Sequence, residues 1–308
     1  MTSKLAIAGF TNLGYLIHTW GEGPLEADMS GKTVLITGAT GGLGRSAAAS
    51  IAGLGARVIV VGRSPEKLRK VKSEIDGDVE TIEADLSLLG EVRDLADAIA
   101  ATEERLDVLV NNVGVLLPER SETAEGLETT FATNLAGHFL LTNLLAPKLM
   151  DIGESRIVNV TSGGMYAERI RPDDLQSRRG EYRGAIAYAR TKRAQVILTE
   201  MWAERLSGSG VTVHSMHPGW ARTAGVRSSL PTFHKLMFPL LRTPDQGADT
   251  IVWLAAADEP ASFTGMLWLD RRPAPTHLTS STVETEEERA LLWEQLVRVT
   301  GSDLPVSP

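Results

Sequence analysis

Short apolar runs alternate with longer amphipathic stretches over most of the 308-residue chain. Runs of about five residues, rich in Val and Ile, are typical of strands buried on both faces, whereas apolar residues three and four positions apart indicate helices. The predicted strands are Thr33–Thr37, Arg57–Val61, Val79–Ala84, Leu106–Val110, Arg156–Val160 and Val211–Met216. The predicted helices between and after them are Leu43–Leu54, Pro65–Ile75, Leu88–Ala101, Ala124–Leu149, Ala185–Leu206 and Glu284–Val299.

This alternation predicts the fold class. Buried strands joined by helices form a parallel sheet, and right-handed crossovers place helices on both of its faces. We therefore expect an α/β protein built on a single Rossmann-type, doubly wound parallel sheet. The expected organisation is an N-terminal amphipathic extension over residues 1–30, a dinucleotide-binding catalytic domain over 31–278 with a polar insertion at 163–184 and a lid at 221–241, and a helical tail over 279–308.

The N-terminal stretch 3–20 has a helical pattern of its own. Its apolar residues recur at steps of four and three, which predicts one shared face for Ala6, Phe10, Leu13, Ile17 and Trp20. The stretch is too short and too interrupted for a membrane span, and it lacks the cleavage site of a signal peptide. Two interpretations stay open: a helix that covers part of the domain, or an interfacial helix in peripheral contact with a membrane or a partner.

Charge and composition exclude several classes of function. The chain has 31 basic and 39 acidic residues, a net charge of −8 that argues against nucleic acid as a partner. It has no cysteine, which excludes disulfides and thiolate catalysis, and its six histidines lack a metal-ligand spacing. No metal site is expected. The composition suits a reducing compartment, so the expected location is cytoplasmic, with membrane association through residues 3–20 as the alternative.

The glycines after the first strand predict a phosphate site. Gly38, Gly42 and Gly44 stand where a strand ends and a helix begins, so they allow a tight turn and close approach of a pyrophosphate. The N–H groups of Leu43, Gly44 and Arg45 would face the phosphates at the positive end of the helix. The spacing is G-x-x-x-G-x-G rather than the common G-x-G-x-x-G, and an ordinary glycine-rich turn is the alternative.

The residue after the second strand indicates which dinucleotide binds. A protein that binds NAD needs a carboxylate there for the ribose hydroxyls, but this chain has Arg63, and Arg45 adds a second guanidinium. A planar guanidinium suits a 2′-phosphate, so NADP(H) is preferred over NAD(H). The alternative for Arg63 is a solvated loop arginine. Asp85, after the third strand, is expected to accept a hydrogen bond from the adenine amino group.

Tyr188 and Lys192 predict proton transfer. They are four residues apart in a helical stretch and so share a face. A phenol with a pKa near 10 is a poor base, and a neighbouring ammonium is expected to lower that pKa. Ser162, at the end of a strand, would hydrogen-bond the substrate oxygen, and the Asn134 amide would hold a water that links Lys192 to solvent. The alternative is a surface tyrosine beside a solvated lysine.

These residues, in this order, resemble the short-chain dehydrogenase/reductase family over about Lys32–Leu278. The wide separation of Ser162 and Tyr188 is similar to that of its retinol-dehydrogenase-like branch. Val113 and Thr161 are small departures from the family pattern. Further motifs that carry the resemblance are Thr37–Gly44, Asp85-Leu86, Asn111-Asn112-Val113-Gly114 and Pro218-Gly219 followed by Thr223.

The resemblance implies roles for these residues. Members of the family act on alcohols and carbonyls with NAD(P)(H). Ser162 would then polarise the carbonyl, Tyr188 would act as the acid/base, and Lys192 would tune Tyr188 and hold the ribose, with Asn134 supporting a proton relay. The family often forms dimers or tetramers through the helices that carry Asn134 and Tyr188. The implied cofactor contacts include Thr37, Leu86, Asn111, Gly114, Pro218, Gly219 and, at the carboxamide, Thr223.

Apolar residues in and beside the lid indicate the substrate. Trp220, Phe233, Met237 and Phe238 would line an apolar pocket for a lipophilic alcohol or carbonyl. The leading hypothesis is an NADP(H)-dependent oxidoreductase acting on a small molecule. One alternative is an NADP(H)-binding sensor or scaffold with little catalysis. A sugar-nucleotide epimerase is disfavoured by the glycine spacing and by the lack of a large C-terminal substrate domain.

Overall fold

The computed structural model describes residues 9–23, 25–222, 235 and 237–304. Within these residues, eight strands form one sheet in the order β3-β2-β1-β4-β5-β6-β7-β8. All neighbours are parallel except β7 and β8. The strands are β1 Thr33–Thr37, β2 Arg57–Gly62, β3 Val79–Glu83, β4 Val108–Asn111, β5 Ser155–Val160, β6 Val211–Met216, β7 Leu267–Leu269 and β8 Arg272–Pro273.

Helices cover both faces of this sheet, which confirms the predicted doubly wound α/β fold. The direction of strand order reverses between β1 and β4, so a crevice is expected at the carboxyl ends of these strands. The helices are α1 Asn12–His18, α2 Gly42–Gly53, α3 Pro65–Glu74, α4 Leu89–Thr102, α5 (Thr129–Phe131, the π-helical Ala132–Ala136 and Gly137–Ile152), α6 Gly184–Arg205, α7 Pro244–Ala256 and α8 Glu286–Thr300.

Side-chain alternation along the strands divides the core into two layers. In β1, Leu35 packs with the layer beneath α4, α5, α6 and α8, whereas Val34 and Ile36 pack with the layer beneath α2, α3 and α7. Successive strand residues point to opposite faces, so a strand buried on both sides must be apolar at every position. All five residues of β1 are buried.

The long helix α5 begins later than the sequence predicted. Its expected start was Ala124, but Glu128 ends the preceding turn by accepting hydrogen bonds from the N–H groups of Thr130 and Phe131 at 2.9 and 2.6 Å. A bridge between Glu122 and Glu128 holds the turn before it. This carboxylate cap satisfies N–H groups of the first helical turn, so the helix starts at Thr129.

The N-terminal helix α1 presents its apolar residues to solvent. Thr11 caps it by accepting a hydrogen bond from the N–H of Gly14 at 3.2 Å. Phe10, predicted on the same helical face, precedes the helix and is buried, whereas Leu13, Ile17 and Trp20 are 58%, 62% and 86% exposed. No helix among residues 9–304 that the structure describes is long and apolar enough to cross a membrane.

The C-terminal helix α8 has the opposite arrangement. Its Trp293 packs on Phe139 of α5 and Trp202 of α6, with ring centroids 4.9 and 6.3 Å away. Leu292 and Leu296 are fully buried beside it. The helices α5 and α6 are those through which the resemblance implied pairing of subunits. Subunits could pair through the parts of α5 and α6 that α8 covers only if α8 were displaced.

Candidate active site

A cleft of about 470 Å³ opens at the carboxyl ends of β1, β2, β4, β5 and β6. This is the crevice that the strand order predicts. The residues that line it come from stretches of the chain as far apart as the first strand and the loop after the sixth. The sequence predicted many of these lining residues as site residues: Gly38, Gly42, Leu43, Gly44, Arg63, Asp85, Leu86, Gly114, Ser162, Tyr188, Lys192, Pro218 and Gly219.

The glycine turn after β1 is shaped for close approach. Gly38 has φ +66°, and a Cβ there would lie 2.8 Å from the Cα of Val113. A Cβ on Gly44 would lie 2.4 Å from the side-chain nitrogen of Asn112. The N-cap residue of α2 is Gly41. Because glycine has no side chain, Gly41 does not cap the first N–H groups of the helix. Such N–H groups are anion-binding, and the turn therefore fits a dinucleotide pyrophosphate.

Thr37 and Asn112 hold this turn against the loop after β4. The Thr37 hydroxyl oxygen accepts hydrogen bonds from the N–H groups of Asn112 and Val113 at 3.0 and 3.1 Å. The Asn112 amide donates to the carbonyl oxygens of Thr37 and Gly38 at 2.8 and 3.2 Å. Thr37 does not itself line the cleft, whereas Asn112 does. The sequence placed Asn112 in a motif but assigned it no role.

Asn111 lies beneath the cleft rather than at its border. Its side chain is fully buried and donates to the Thr142 hydroxyl and to the side-chain amide oxygen of Asn159, both at 2.9 Å. These bonds tie β4 to β5 and α5. The side chain expected to border the cofactor therefore supports the sheet, because side chains of successive strand residues alternate between its faces.

Charged residues occupy one end of the cleft, which we term the nucleotide end. Arg63 and Asp85 line it and lie 3.6 Å apart as an ion pair. Arg45 does not line it, because its guanidinium donates instead to Glu74 at 2.7 Å. Lys67, in the first turn of α3, lines the cleft and was missed. The basic face of α3 was visible in the sequence, but which of its lysines points inward was not.

Ser162, Tyr188 and Lys192 line the other end, the catalytic end. The Ser162 hydroxyl accepts from the N–H of Gly164 at 3.2 Å. Burial raises the pKa of the Tyr188 phenol above its usual value, and a hydrogen bond with Ser162 opposes this increase. The lowering expected from Lys192 is not what the structure gives. Its ammonium lies 5.7 Å from the centre of the Tyr188 ring and bonds to other groups.

Lys192 is buried, with 2% of its surface exposed. Its ammonium donates to the carbonyl oxygen of Val160 at 2.8 Å and to the side-chain oxygen of Gln195 at 3.0 Å. Burial lowers its pKa to about 7, since the charged form loses its hydration. The neighbouring Thr161 hydroxyl donates to the Lys192 carbonyl oxygen at 2.7 Å, which fixes α6 to the end of β5.

Asn134 lies in the π-helical segment of α5, a feature frequent at functional sites. Its side-chain oxygen accepts from the N–H of Val115 at 2.8 Å. Its amide nitrogen donates to the carbonyl oxygen of Val115 at 2.9 Å and to the hydroxyl of Thr191 at 3.1 Å. Both amide hydrogens are therefore used within the protein, and neither is available for the water that the sequence predicted there.

The loop after β6 bounds the catalytic end. The N–H of Trp220 donates to the carbonyl oxygen of Phe10 at 2.8 Å, so the N-terminal segment holds this loop. His217 is buried against Phe10, and burial lowers its pKa to about 3, as befits a core histidine. Met237 is half-buried and Phe238 is 47% exposed. Of the remaining predicted lid and site residues, Thr223 and Phe233 lie outside the described residues.

Comparisons with known proteins agree with this geometry. The profile described as short chain dehydrogenase matches residues 32–173. Dehydrogenase/reductase SDR family member 12 from Bos taurus is 38% identical, covering 89% of each chain, and human retinol dehydrogenase 13 is 36% identical, covering 93% of this chain and 90% of that one. The crystal structure of a short chain dehydrogenase from Shigella flexneri complexed with NADP is similar, with a TM-score of 0.65, 28% identity and coverage of 80% and 100%.

Proposed function

The chain belongs to the short-chain dehydrogenase/reductase family, and we propose that it is an NADP(H)-dependent oxidoreductase that interconverts an alcohol and a carbonyl on a small, lipophilic substrate. One observation carries the proposal. Ser162, Tyr188 and Lys192 line one end of the same cleft that the glycine turn lines. A hydroxyl donor, a phenol and a buried amine are thereby brought within reach of a dinucleotide held by its phosphates.

The chemistry divides between cofactor and protein. Bound NADPH supplies the hydride. In the direction of reduction, the Tyr188 hydroxyl donates its proton to the substrate oxygen, while the Ser162 hydroxyl hydrogen-bonds the same oxygen. Burial raises the pKa of the Tyr188 phenol, so its proton is present near neutral pH at the start of this step. The Lys192 ammonium, 5.7 Å from the centre of the Tyr188 ring, favours through its charge the phenolate that this step leaves behind, an effect smaller than that of burial on the phenol.

Two residues at the nucleotide end support NADP(H) over NAD(H). Arg63 and Lys67 both line the cleft beyond the end of β2. Among the described residues that line the cleft, the only carboxylate is that of Asp85, which pairs with Arg63. A guanidinium and an ammonium together complement a 2′-phosphate. The related Shigella flexneri structure, which contains NADP, is consistent with this choice.

The lipophilic character of the substrate rests on the apolar loop after β6. Trp220 lies beside the cleft residues Pro218 and Gly219, and the apolar Met237 and Phe238 follow further along the chain. The human relative is named for retinol, a lipophilic alcohol. Both point to a hydrophobic alcohol or carbonyl.

Replacing Tyr188 with Phe tests the proposed reaction. The change removes only the hydroxyl, so carbonyl reduction should fall about 10³-fold or more, within the range that acid–base catalysis contributes. NADPH affinity, measured by fluorescence titration, should stay within about two-fold, because the ring is retained. The assay follows NADPH oxidation with a panel of lipophilic ketones and aldehydes. Turnover by the variant at the wild-type rate would refute the role of Tyr188.

The exposed face of α1 supports a peripheral membrane contact. Leu13, Leu16, Ile17 and Trp20 are each more than half exposed. The Asn12 amide donates to the carbonyl oxygen of Pro239 at 3.1 Å, which places the exposed Phe238 and Leu240 near this helix. Apolar side chains that include a tryptophan are suited to a membrane interface.

Vesicle flotation tests this contact. The variant Leu13→Ser/Ile17→Ser/Trp20→Ser should lose binding to phosphatidylcholine vesicles at an unchanged melting temperature, because these side chains make little contact in the folded chain. Val283→Ser is a matched control, since Val283 is 43% exposed on another part of the surface. Equal flotation of all three proteins would exclude α1 as the contact.

A further inference from the structure

Gln195 connects three parts of the catalytic end. It lies three residues beyond Lys192 on α6 and accepts from the Lys192 ammonium at 3.0 Å. Its amide nitrogen lies 2.7 Å from the carbonyl oxygen of Asn134 and 2.7 Å from Nδ1 of His138, both on α5. We infer that Gln195 is a positioning residue that holds the Lys192 ammonium in place and in its charged form. The inference rests on the proposed function of Lys192.

The partners of Gln195 leave its amide only one orientation. An ammonium can only donate hydrogen bonds, so the amide oxygen must face Lys192. A backbone carbonyl can only accept, so the amide nitrogen must face Asn134. The opposite orientation would bring two donors together at one end and two acceptors at the other. The bridge therefore has a defined direction, from α5 through Gln195 to Lys192.

The same geometry fixes the state of His138. Because the Gln195 nitrogen donates, Nδ1 of His138 must accept, which leaves the ring proton on Nε2. Burial lowers the pKa of His138 to about 3, and the charge of Lys192 lowers it further, while the backbone of Val113 opposes this effect. His138 is thus a neutral acceptor over the physiological pH range. His138 orients the Gln195 amide without adding a second positive charge beside Lys192.

This bridge takes over the connection that the sequence assigned to the Asn134 side chain. That side chain is bonded to Val115 and Thr191, and it is the Asn134 backbone carbonyl that connects toward Lys192 through Gln195. A neutral amide donates and accepts hydrogen bonds but does not titrate near neutral pH. Gln195 therefore anchors the ammonium and does not pass its proton onward.

Few groups other than Gln195 set the charge of Lys192. Among the described residues, the titratable side chains that face it are Tyr188 on its own helix and His138 on α5. The end of β5 contributes the Val160 carbonyl oxygen, and the loop after β4 contributes the backbone of Gly114. Both titratable groups are neutral near pH 7. The charged amine is therefore stabilised mainly by two acceptors, one of which is the Gln195 oxygen.

The variant Gln195→Met tests this role, since Met retains the volume of Gln but cannot accept from the ammonium in the same way. Loss of one acceptor should lower the Lys192 pKa, so the decline of kcat/KM at alkaline pH should move to lower pH by about one unit. The dependence of NADPH affinity on pH, measured by calorimetry, should shift in the same direction. Unchanged profiles in both measurements would overturn the inference.

Asn143→Leu is the matched control. Asn143 is as buried as Gln195 and accepts a hydrogen bond from Trp202 at 2.9 Å, so its loss also removes a bond between α5 and α6, but not one to Lys192. This variant should lower the melting temperature and keep both wild-type pH profiles. A shift as large as that of Gln195→Met would make the effect one of general packing and would also overturn the inference.

A second variant covers the case in which Gln195→Met does not fold. Gln195→Asn keeps the amide but is one methylene too short to span Lys192 and Asn134 together, so the same shift is expected. The two readouts separate this inference from the proposed reaction. Wild-type turnover with unshifted variant profiles refutes Gln195 alone, whereas absent wild-type turnover with a shifted NADPH-binding profile refutes the reaction and supports Gln195.

Discussion

The two ends of the cleft are built on different physical principles. At the nucleotide end, Arg63 is 69% exposed and its contact with Asp85 is solvated, so its charge acts through a screened field. At the catalytic end, Lys192, Gln195 and His138 are each at most 2% exposed, and every bond must replace lost hydration. The exposed end therefore tolerates change in single charges, whereas the buried end depends on the position of each acceptor.

Among the expected changes in cofactor binding, the largest is at the glycine turn, where steric fit rather than charge determines affinity. Gly44→Ala would force a Cβ within 2.4 Å of the Asn112 amide and 2.8 Å of the Gly38 carbonyl oxygen. The KM for NADPH should rise roughly 30-fold or more, because overpacking of this kind costs about 2 kcal/mol. Gly53→Ala, at the other end of α2, where a Cβ would meet nothing within 4 Å, is the control and should change KM less than about three-fold. Similar constants for both variants would contradict the predicted turn geometry.

The charges of the nucleotide end should have a smaller and selective effect. Arg63→Ala and Lys67→Ala should each raise the KM for NADPH about ten-fold at low salt and leave that for NADH almost unchanged, since only NADPH carries the 2′-phosphate. Arg45→Ala, whose guanidinium bonds to Glu74 outside the cleft, is the control. Measurement of KM for NADPH and for NADH with each variant tests this prediction. A loss for Arg45→Ala equal to that for Lys67→Ala would reverse the assignment of the two residues.

The smallest expected effect is on stability at the catalytic end. Burial lowers the Lys192 pKa to about 7, well below that of an unfolded lysine, so between pH 7 and 9 the unfolded chain binds a proton that the folded chain has released. The free energy of unfolding should therefore rise with pH, by about 1 kcal/mol between pH 7 and 8. Lys192→Met should lack this rise. Denaturant titrations at pH 7 and 8 measure this rise, and parallel pH dependence of the two proteins would show that Lys192 stays fully charged.

The sequence predicted the fold well because the relevant signals are local. The strand Thr33–Thr37 and the strand Val211–Met216 have the predicted bounds, since runs of apolar residues bounded by polar or glycine residues define them. The start of α5 was missed because a carboxylate cap at Glu128, not a change in hydrophobicity, determines it. The short strands β7 and β8 were missed because two or three residues are too few to show an alternation of apolar and polar positions.

The candidate site was predictable to the extent that its chemistry lies in short motifs. The glycine turn and the pair Tyr188 and Lys192 follow from spacing alone. Gln195 was not found, although it stands only three residues after Lys192. Its partners Asn134 and His138 lie on a different helix, about 60 residues earlier in the chain. A glutamine in a helix has no distinctive pattern until the neighbouring helix is in place.

From the order of strands, helices, glycines and hydroxyl-bearing side chains, the amino-acid sequence alone determined the sheet, the position of the cleft and the residue types within it. Tertiary structure decided which way each polar side chain turns: Arg45 toward Glu74, Lys67 into the cleft, and the Asn134 amide toward Val115. It also decided that the apolar face of α1 meets solvent while that of α8 is buried. The reason is physical. Backbone periodicity is set by neighbours in sequence, whereas a hydrogen bond or a buried face depends on which distant segment lies opposite.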